Sequence, residues 1–265
     1  MNSSVTQIKN EEKNSWIIEK VRRDGIYDAY VEDSYSKIVE LFTERSKLPR
    51  GSTILDVGCG TGEFAKRLNC RGYKVIGIDI SLEIVKNVNN GNVVLVVTDA
   101  EHLPFKSKIF DAVFCVDILH HFLEQSKVIS QLLRVLKSEG FFFISDLNAL
   151  NPHTYLAQSQ YSPVRYDYLT KNESAIMPSS LRNIFKDYGQ KIEMEYYFLE
   201  RKKRLKISNW KYKIYGFIFP QICSLRKRII ALILFNIAHL ITMFLPRSLR
   251  ANIVIAYTHY VEDRA

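Results

Sequence analysis

Short apolar runs alternate with amphipathic segments from Ser52 onward. Five runs rich in Val, Ile and Phe, most of them ending in Gly or Asp, predict buried strands: STILDVG, YKVIGID, NVVLVVTD, FDAVFCVD and GFFFISDL. The segments EFAKRLNCRG, SLEIVKNVNN and EQSKVISQLLRVLKSEG carry apolar residues at three- and four-residue spacing and predict helices, with Gly72 and Gly140 as C-caps. This alternation is typical of a mostly parallel sheet with helices on both faces.

Additional elements are predicted on either side of this region. A helical pattern from Tyr27 to Leu48 predicts a helix that packs on the sheet before its first strand. The segments 191–200 and 251–261 read as strands and would complete a seven-stranded sheet. The predicted organisation is therefore a helical arm or cap (1–50), a core (51–200), a basic and apolar helical insertion (201–250), and a final core strand with a tail (251–265).

The hydrophobic content, the first residues and the cysteines of the chain limit the kind of protein that it can be. With 47% hydrophobic residues among 265, the chain can bury a sizeable core. Its first residues lack the basic, apolar and small-residue regions of a secretory signal, so we expect a protein that is not exported. The cysteines are far apart and form no C-x-x-C pair, which argues against a zinc site or a disulfide framework and favours reduced thiols in the cytoplasm: Cys59, Cys70, Cys115 and Cys223. We expect no metal.

The positive charge is concentrated in one segment. The formal net charge is +9, and residues 201–250 contain twelve Lys or Arg and no Asp or Glu, which leaves 25 basic and 28 acidic residues elsewhere. A local positive field of this kind attracts phosphate, either on lipid head groups or in nucleic acid.

A glycine-rich segment, ILDVGCGTGEF, follows the first predicted strand and precedes a helix. Gly58, Gly60 and Gly62 would let the backbone approach a ligand, and the helix N-terminus favours a carboxylate or phosphate. Glu63 occupies the position at which a nicotinamide fingerprint requires a third small residue, so that fingerprint fails. Asp79 ends the second strand, where it can accept hydrogen bonds from ribose hydroxyls or cap the next helix, a role for which Ser81 competes.

These motifs resemble those of class I S-adenosylmethionine-dependent methyltransferases, in particular the small-molecule branch similar to the ubiquinone and menaquinone C-methyltransferases. The family pattern D-x-G-C-G-T-G matches residues 56–62, and the acid that ends the second strand matches Asp79. D-A-x-x-L-P-F followed by F-D matches residues 99–105 and 110–111. The resemblance covers about residues 25 to 150 and implies a Rossmann-like α/β fold with a final antiparallel strand.

The resemblance also implies roles for individual residues. Asp56 would orient the methionyl ammonium, and the loop glycines would line the methionine and ribose. Asp99 would bond the adenine amino group, although a loop cap is an alternative for this side chain. The remaining cofactor contacts implied in this way lie beside the adenine ring or the methionine: Ile80, Ala100, Val116 and Asp117.

Two histidines follow the fourth predicted strand, in CVDILHHF. The family commonly carries a similar apolar-His-His element beside the cofactor. His120 or His121 could accept a proton, because imidazole titrates near neutral pH. Alternatively, both side chains shape the pocket and hydrogen-bond within it.

An aromatic loop follows the fifth predicted strand. In this fold the loop should overhang the acceptor pocket, where it would act as a lid and select the substrate. Plain packing is the alternative for such a cluster of Tyr. The candidate substrate residues are Tyr155, Tyr161, Arg165 and Tyr166.

In the insertion 201–250, basic segments alternate with apolar segments. Its last apolar stretch, 229–245, has seventeen residues, which is short for a spanning helix, and strands of one sheet on both sides favour a helical hairpin that dips into a membrane interface. The alternatives are a buried helical lid or a dimer interface. Nucleic acid is a poorer partner, because Ile, Leu and Phe are poor groove ligands.

The predicted function is transfer of a methyl group from S-adenosylmethionine to an oxygen or carbon of a small, hydrophobic or lipid-like acceptor. The sulfonium methyl is intrinsically electrophilic, so positioning supplies most of the catalysis and a base is not indispensable. The alternatives are a noncatalytic S-adenosylmethionine-binding partner of another protein and a nicotinamide-dependent oxidoreductase. We expect a cytoplasmic protein that contacts the inner face of the membrane peripherally.

Overall fold

The structure is a computed structural model. It describes residues 28–82, 93–166, 169–170, 173–197, 225–251 and 253–261. Most of the predicted helix SLEIVKNVNN and the segment 201–224 of the predicted insertion lie outside the described residues.

The helices and strands follow the predicted alternation. The helices are α1 (Asp28–Ser46), α2 (Glu63–Cys70), α3 (Gln125–Val135), α4 (Pro152–Gln158), α5 (Pro178–Asp187), α6 (Leu225–Phe244) and α7 (Arg247–Arg250). The strands are β1 (Thr53–Val57), β2 (Lys74–Asp79), β3 (Val94–Val97), β4 (Phe110–Val116), β5 (Leu136–Leu147), β6 (Glu193–Tyr197) and β7 (Ile253–His259). A short 3-10 helix, Leu119–His121, follows β4.

The strands form a seven-stranded sheet in the order β3-β2-β1-β4-β5-β7-β6. The pairs β1–β2, β1–β4, β2–β3 and β4–β5 are parallel. β7 runs antiparallel to β5. The amide of Glu139 in β5 donates to the carbonyl of Tyr260, just after β7, whereas the ring of Phe141, two residues further along β5, lies near residues of β7 that come earlier in the chain, 5.0 Å from the ring of His259 and 5.9 Å from that of Tyr257. The predicted fold class, a mostly parallel Rossmann-like sheet with an antiparallel last strand, is confirmed.

Contacts divide the chain into two compact units. We call them the sheet unit (27–146, 179–195 and 255–265) and the helical unit (1–26, 147–178 and 196–254).

The core of the sheet unit is aromatic. Phe42 of α1 is fully buried, and its ring lies 5.2 Å from that of Phe114 and 5.6 Å from that of Phe143. The rings of Phe114 and Phe143, on neighbouring strands, stack at 5.5 Å. Burial of each such side chain stabilises the fold by about 1.5–3 kcal/mol. The predicted packing of the first helix on the sheet is thereby confirmed.

The two predicted helix C-caps had different outcomes. Gly72 follows α2 with a φ of 92°, and the amide of Tyr73 donates to the carbonyl of Leu68, which closes the helix as predicted. Gly140 is not a cap, and that prediction was wrong. α3 already ends at Val135, where the amides of Lys108 and Ile109 donate to the carbonyls of Arg134 and Val135.

Gly140 lies inside β5 instead. A Cβ at this position would lie 2.7 Å from the carbonyl oxygen of Lys137, and the preceding Glu139 has a φ of 63°. The register between β4 and β5 shifts here, between Phe110 and Ala112. The glycine therefore permits an irregularity in a strand rather than the end of a helix.

The helical unit is built around contacts between α4 and α6. Ala157, Val164, Ala231 and Phe235 form a buried cluster, and the ring of Tyr166 stacks on that of Phe235 at 6.4 Å. Within the described parts of the chain, no helix combines the length and the apolar character required to cross a membrane.

Candidate functional site

The predicted cofactor residues of the sheet unit lie at the carboxyl ends of neighbouring parallel strands or just after them. Val57 at the end of β1 pairs with Ile78 of β2 and with Cys115 of β4. In turn, Val116 at the end of β4 pairs with Ser145 of β5. The loops that follow β1, β2 and β4 therefore leave the sheet at one edge, which is where ligands bind in open α/β sheets.

The glycine loop between β1 and α2 has a backbone that other residues seldom adopt. Gly58, Gly60 and Gly62 have φ values of 68°, 51° and 73°. A Cβ at Gly58 would lie 2.5 Å from Cγ1 of Ile118, which follows β4. No side chain caps α2 at Gly62, so the first amides of the helix are left to other acceptors.

Asp79 ties the glycine loop to the end of β2. Its Oδ2 accepts a hydrogen bond from the amide of Gly60 at 3.0 Å, and its Oδ1 accepts one from the amide of Ser81 at 2.8 Å. Burial raises the pKa of Asp79, and the two amides oppose that rise. Since a carboxylate oxygen can accept more than one hydrogen bond, the same group can hold the loop and still receive ligand hydroxyls.

Asp56 is the most deeply buried carboxyl of the site, with 2% of its surface exposed. Its Oδ2 has no hydrogen-bond partner among the residues that the structure describes. Burial, followed by the charge of Asp79, raises the pKa of Asp56 to about 7. A buried carboxyl in this condition would be stabilised as an anion by a cation bound beside it, so the residue fits the ammonium of an amino-acid ligand.

The loop after β3 holds Asp99 and Ala100. Oδ1 of Asp99 accepts from the amide of Glu101 at 3.0 Å, so the loop-cap alternative is realised, while the adenine contact stays a prediction. Ala100 is buried, and Arg134 braces the loop by donating to the carbonyls of Leu103 and Phe105.

One group of possible metal ligands lies in the same loop. Ligand atoms of Asp99, Glu101 and His102 lie within 4.8 Å of one another. His102 is more than half exposed. Exposed acidic groups of this kind are common without an ion, so the spacing alone does not define a metal site.

The end of β4 has an unusual backbone. Val116 is buried, and the following Asp117 has a φ of 51° while its amide donates to the carbonyl of Ser145 at 2.9 Å. This bond joins the residue that follows β4 to Ser145, near the end of the adjacent strand β5. Val116, Asp117 and Ile80 thus lie at the predicted edge of the sheet, and their contacts with a cofactor stay predictions.

His120 forms a buried pair with Asp146, at the end of β5. Nδ1 of His120 lies 2.7 Å from Oδ1 of Asp146, whose Oδ2 accepts from the amide of His120 at 3.3 Å. Asp146 is 1% exposed. Such a carboxylate fixes the ring orientation and leaves Nε2 as the nitrogen that can accept a proton. The ring of His121 lies 4.2 Å from that of His120.

Asp146 was missed at the sequence level. The signal was present, since an acid that closes a buried apolar run is the feature that identified Asp79. Its pairing with His120 joins residues 26 positions apart, and a local pattern does not show it.

The predicted substrate residues belong to the helical unit, where their environments differ. Tyr155 and Tyr161 are exposed, whereas Tyr166 packs against Phe235. Arg165 donates to four main-chain carbonyls, those of Gln158, Leu169, Thr170 and Glu173. The observed contacts of Arg165 thus organise its own loop, and a substrate role for the four residues stays a prediction.

Comparisons with known proteins identify a methyltransferase domain in this chain. Residues 55–144 match the family model of a methyltransferase domain. Over 188 residues the chain is 30% identical to a tRNA (carboxymethyluridine(34)-5-O)-methyltransferase of Arabidopsis thaliana, covering 68% of this chain and 44% of that protein. It is 32% identical over 152 residues to a ubiquinone biosynthesis O-methyltransferase of Nitrosomonas europaea, covering 52% and 63%. The chain thus spans about half the length of these curated relatives.

A similar fold is found in a solved structure, the phosphoethanolamine N-methyltransferase 2 of Haemonchus contortus in complex with phosphomonomethylethanolamine and S-adenosylhomocysteine. The TM-score is 0.59 at 19% identity, and the match covers 86% of this chain and 53% of that one. At this identity the likeness shows a shared fold.

Proposed function

Because residues 55–144 form a class I methyltransferase domain, we propose that the protein transfers the methyl group of S-adenosylmethionine to an oxygen or carbon of a small, hydrophobic or lipid-like acceptor. The observation that carries the proposal is the buried Asp56, whose Oδ2 accepts no hydrogen bond from any described residue, next to a left-handed glycine loop that Asp79 holds in place.

The cofactor supplies an electrophilic methyl group when it is bound. Asp56 would pair with the methionyl ammonium, and Asp79 would accept hydrogen bonds from the ribose hydroxyls. Asp99 and the backbone of Ala100 would bind the adenine, with Ile80 beside the ring, while Val116 and Asp117 would border the methionine.

His120 is the better placed of the two histidines to accept a proton from the acceptor. Its Nδ1 is engaged by Asp146 at 2.7 Å, which favours the tautomer whose Nε2 is basic. A positioned base of this kind contributes about 10²- to 10⁴-fold. His121, whose ring lies 4.2 Å from that of His120 and is tilted by 35°, would shape the pocket.

We infer the class of acceptor from the residues of this chain, because its relatives are named for different substrates. One relative is named for a tRNA nucleoside and another for ubiquinone biosynthesis. The exposed aromatic side chains of Tyr155 and Tyr161 and the apolar content of 201–250 favour a hydrophobic acceptor. We place the protein in the cytoplasm, in peripheral contact with anionic membrane through 201–250 and with nucleic acid as the less favoured partner.

Calorimetry with S-adenosylhomocysteine tests the cofactor site. The unaltered protein should bind it, and Asp56→Asn and Asp79→Asn should each weaken binding by about tenfold or more, since each removes a charge-assisted contact. Asp187→Asn, at the exposed end of α5, is the matched control and should bind normally. Absence of heat with well-folded protein would refute the proposal.

Formation of S-adenosylhomocysteine from S-adenosylmethionine with fractionated lipid extracts tests the reaction. Turnover with a hydrophobic fraction is expected. A protein that binds the cofactor yet yields no product with lipid, quinone or tRNA fractions would be a noncatalytic binder.

A further inference from the structure

Helix α6 exposes a continuous row of large apolar side chains. We call it the α6 stripe: Ile229, Ile233, Ile237, Leu240, Ile241 and Phe244. Their exposed fractions range from 47% to 87%. At about 100° per residue they fall within an arc of roughly 120°, and from first to last they extend about 22 Å along the helix.

The opposite face of α6 is the one that packs within the chain. Ala231, Phe235, Ala238 and Thr242 are buried, and α6 contacts α4 through this face. The hydroxyl of Thr242 donates to the carbonyl of Ala238, so even the polar residue of the buried face is satisfied within the helix. The α6 stripe is therefore a second apolar face, which the contacts among the described residues of the helical unit do not use.

The charges around the α6 stripe indicate what covers it. Arg226, Lys227 and Arg228 precede the stripe, Arg247 and Arg250 follow it, and residues 201–250 contain no acid. A second copy of the chain would bring two such positive segments together, and repulsion opposes that contact. Nucleic acid would neutralise the cations but leave the aliphatic side chains exposed. An anionic bilayer satisfies both features, because the apolar residues enter the boundary of the acyl chains while Lys and Arg meet phosphates.

We propose that α6 lies in the plane of an anionic phospholipid bilayer and docks the protein there through the α6 stripe. The inference assigns a surface and an orientation to the membrane contact, and it holds whether or not the chain transfers methyl groups.

Co-sedimentation with vesicles of phosphatidylcholine containing roughly 30% phosphatidylglycerol tests the docking. Ile237→Asp places a charge within the stripe. Asn236→Asp is its matched control, because the neighbouring exposed residue lies at the margin of the stripe and the variant changes the net charge equally. Ile237→Asp should lower partitioning by about tenfold or more, and Asn236→Asp by about twofold or less.

Three results would overturn the inference. The unaltered protein could fail to sediment with these vesicles, or the two variants could lose binding equally, which would show attraction by charge alone. The protein could also be a dimer that Ile237→Asp dissociates without changing vesicle binding, which would assign the stripe to a second copy. Calorimetry with S-adenosylhomocysteine on all three proteins monitors the cofactor site separately, so failure of docking and failure of the proposed function are distinguishable.

Discussion

At the scale of single residues, Asp56 couples the proposed cofactor site to stability. Burial raises its pKa from 3.8 to about 7, so the folded protein keeps a proton that the unfolded chain releases above about pH 4. Its contribution to stability is present at low pH and is lost as the pH rises toward 7. Above about pH 4 the buried carboxyl therefore destabilises the folded state, and Asp56→Asn removes that destabilisation. The ligand-free variant should gain stability relative to the unaltered protein, by about 2–3 kcal/mol more at pH 8 than at pH 5. Urea denaturation at the two pH values measures the difference.

Asp111 provides a control of opposite sign. Although burial opposes the shift, the Lys137 ammonium at 2.7 Å and the amide of Thr53 at 2.8 Å lower the pKa of Asp111. Its contribution is therefore present at neutral pH and is lost as the pH falls through its lowered pKa, so Asp111→Asn should destabilise the protein at pH 8. If Asp56→Asn destabilised the protein at pH 8, as Asp111→Asn is expected to do, the assigned protonation of Asp56 would be wrong.

The pairing of His120 with Asp146 makes a kinetic prediction. Asp146→Asn offers an amide in place of the carboxylate at 2.7 Å, which no longer favours the tautomer with a basic Nε2. With an acceptor that must lose a proton, kcat should fall by about 10²- to 10⁴-fold, while the Kd of S-adenosylhomocysteine stays within about threefold. The pH profile of kcat should change as well. His121→Gln is the comparison, and an equal loss of kcat in that variant would contradict the assignment of the base to His120.

At the scale of elements, the glycine loop is fitted against the segment that follows β4. Gly58 has a φ of 68°, and a Cβ would lie 2.5 Å from Cγ1 of Ile118. Gly58→Ala should therefore destabilise the protein by about 1–2 kcal/mol from the backbone and by a further amount from the contact. Adding Ile118→Ala should relieve only the contact. Thermal denaturation of the two single variants and the double variant measures this coupling, and strict additivity of the two changes would contradict it.

The strands were predictable because a buried parallel strand needs an apolar run whatever its neighbours are. The end of α3 was not, because the register of β4 and β5, rather than local propensity, begins the strand at Leu136. A glycine at position 140 is compatible with a helix C-cap and with an irregular strand. Only the pairing of β4 with β5 distinguishes the two.

The candidate site shows the same division. Asp56, Asp79 and the three glycines lie in one continuous pattern around β1 and β2, so the sequence could identify them. Asp146 could not be assigned to His120, because that contact depends on the adjacency of β4 and β5. The cation of Arg165 suggested a substrate contact, whereas its donors meet four carbonyls of its own loop, an arrangement that composition cannot show.

At the scale of the whole molecule, the chain separates a nearly balanced sheet unit from a segment that carries all the excess positive charge. The proposed cofactor residues belong to the sheet unit, and the α6 stripe belongs to the helical unit. A ligand stabilises the structure that binds it, by about 2.7 kcal/mol at a hundredfold excess over its Kd. Two ligands of different chemistry should therefore protect different parts of this chain.

Amide hydrogen exchange can resolve the two responses. S-adenosylhomocysteine should slow exchange in the glycine loop and at the end of β2. In these two segments the amides of Gly60 and Ser81 already donate to Asp79. Anionic vesicles should slow exchange along residues 229–244 and leave the glycine loop unchanged. Vesicles of phosphatidylcholine alone are the control and should protect 229–244 less, because they lack the negative charge that attracts the flanking Lys and Arg. Protection of the same residues by both ligands would contradict the assignment of cofactor and membrane to separate surfaces.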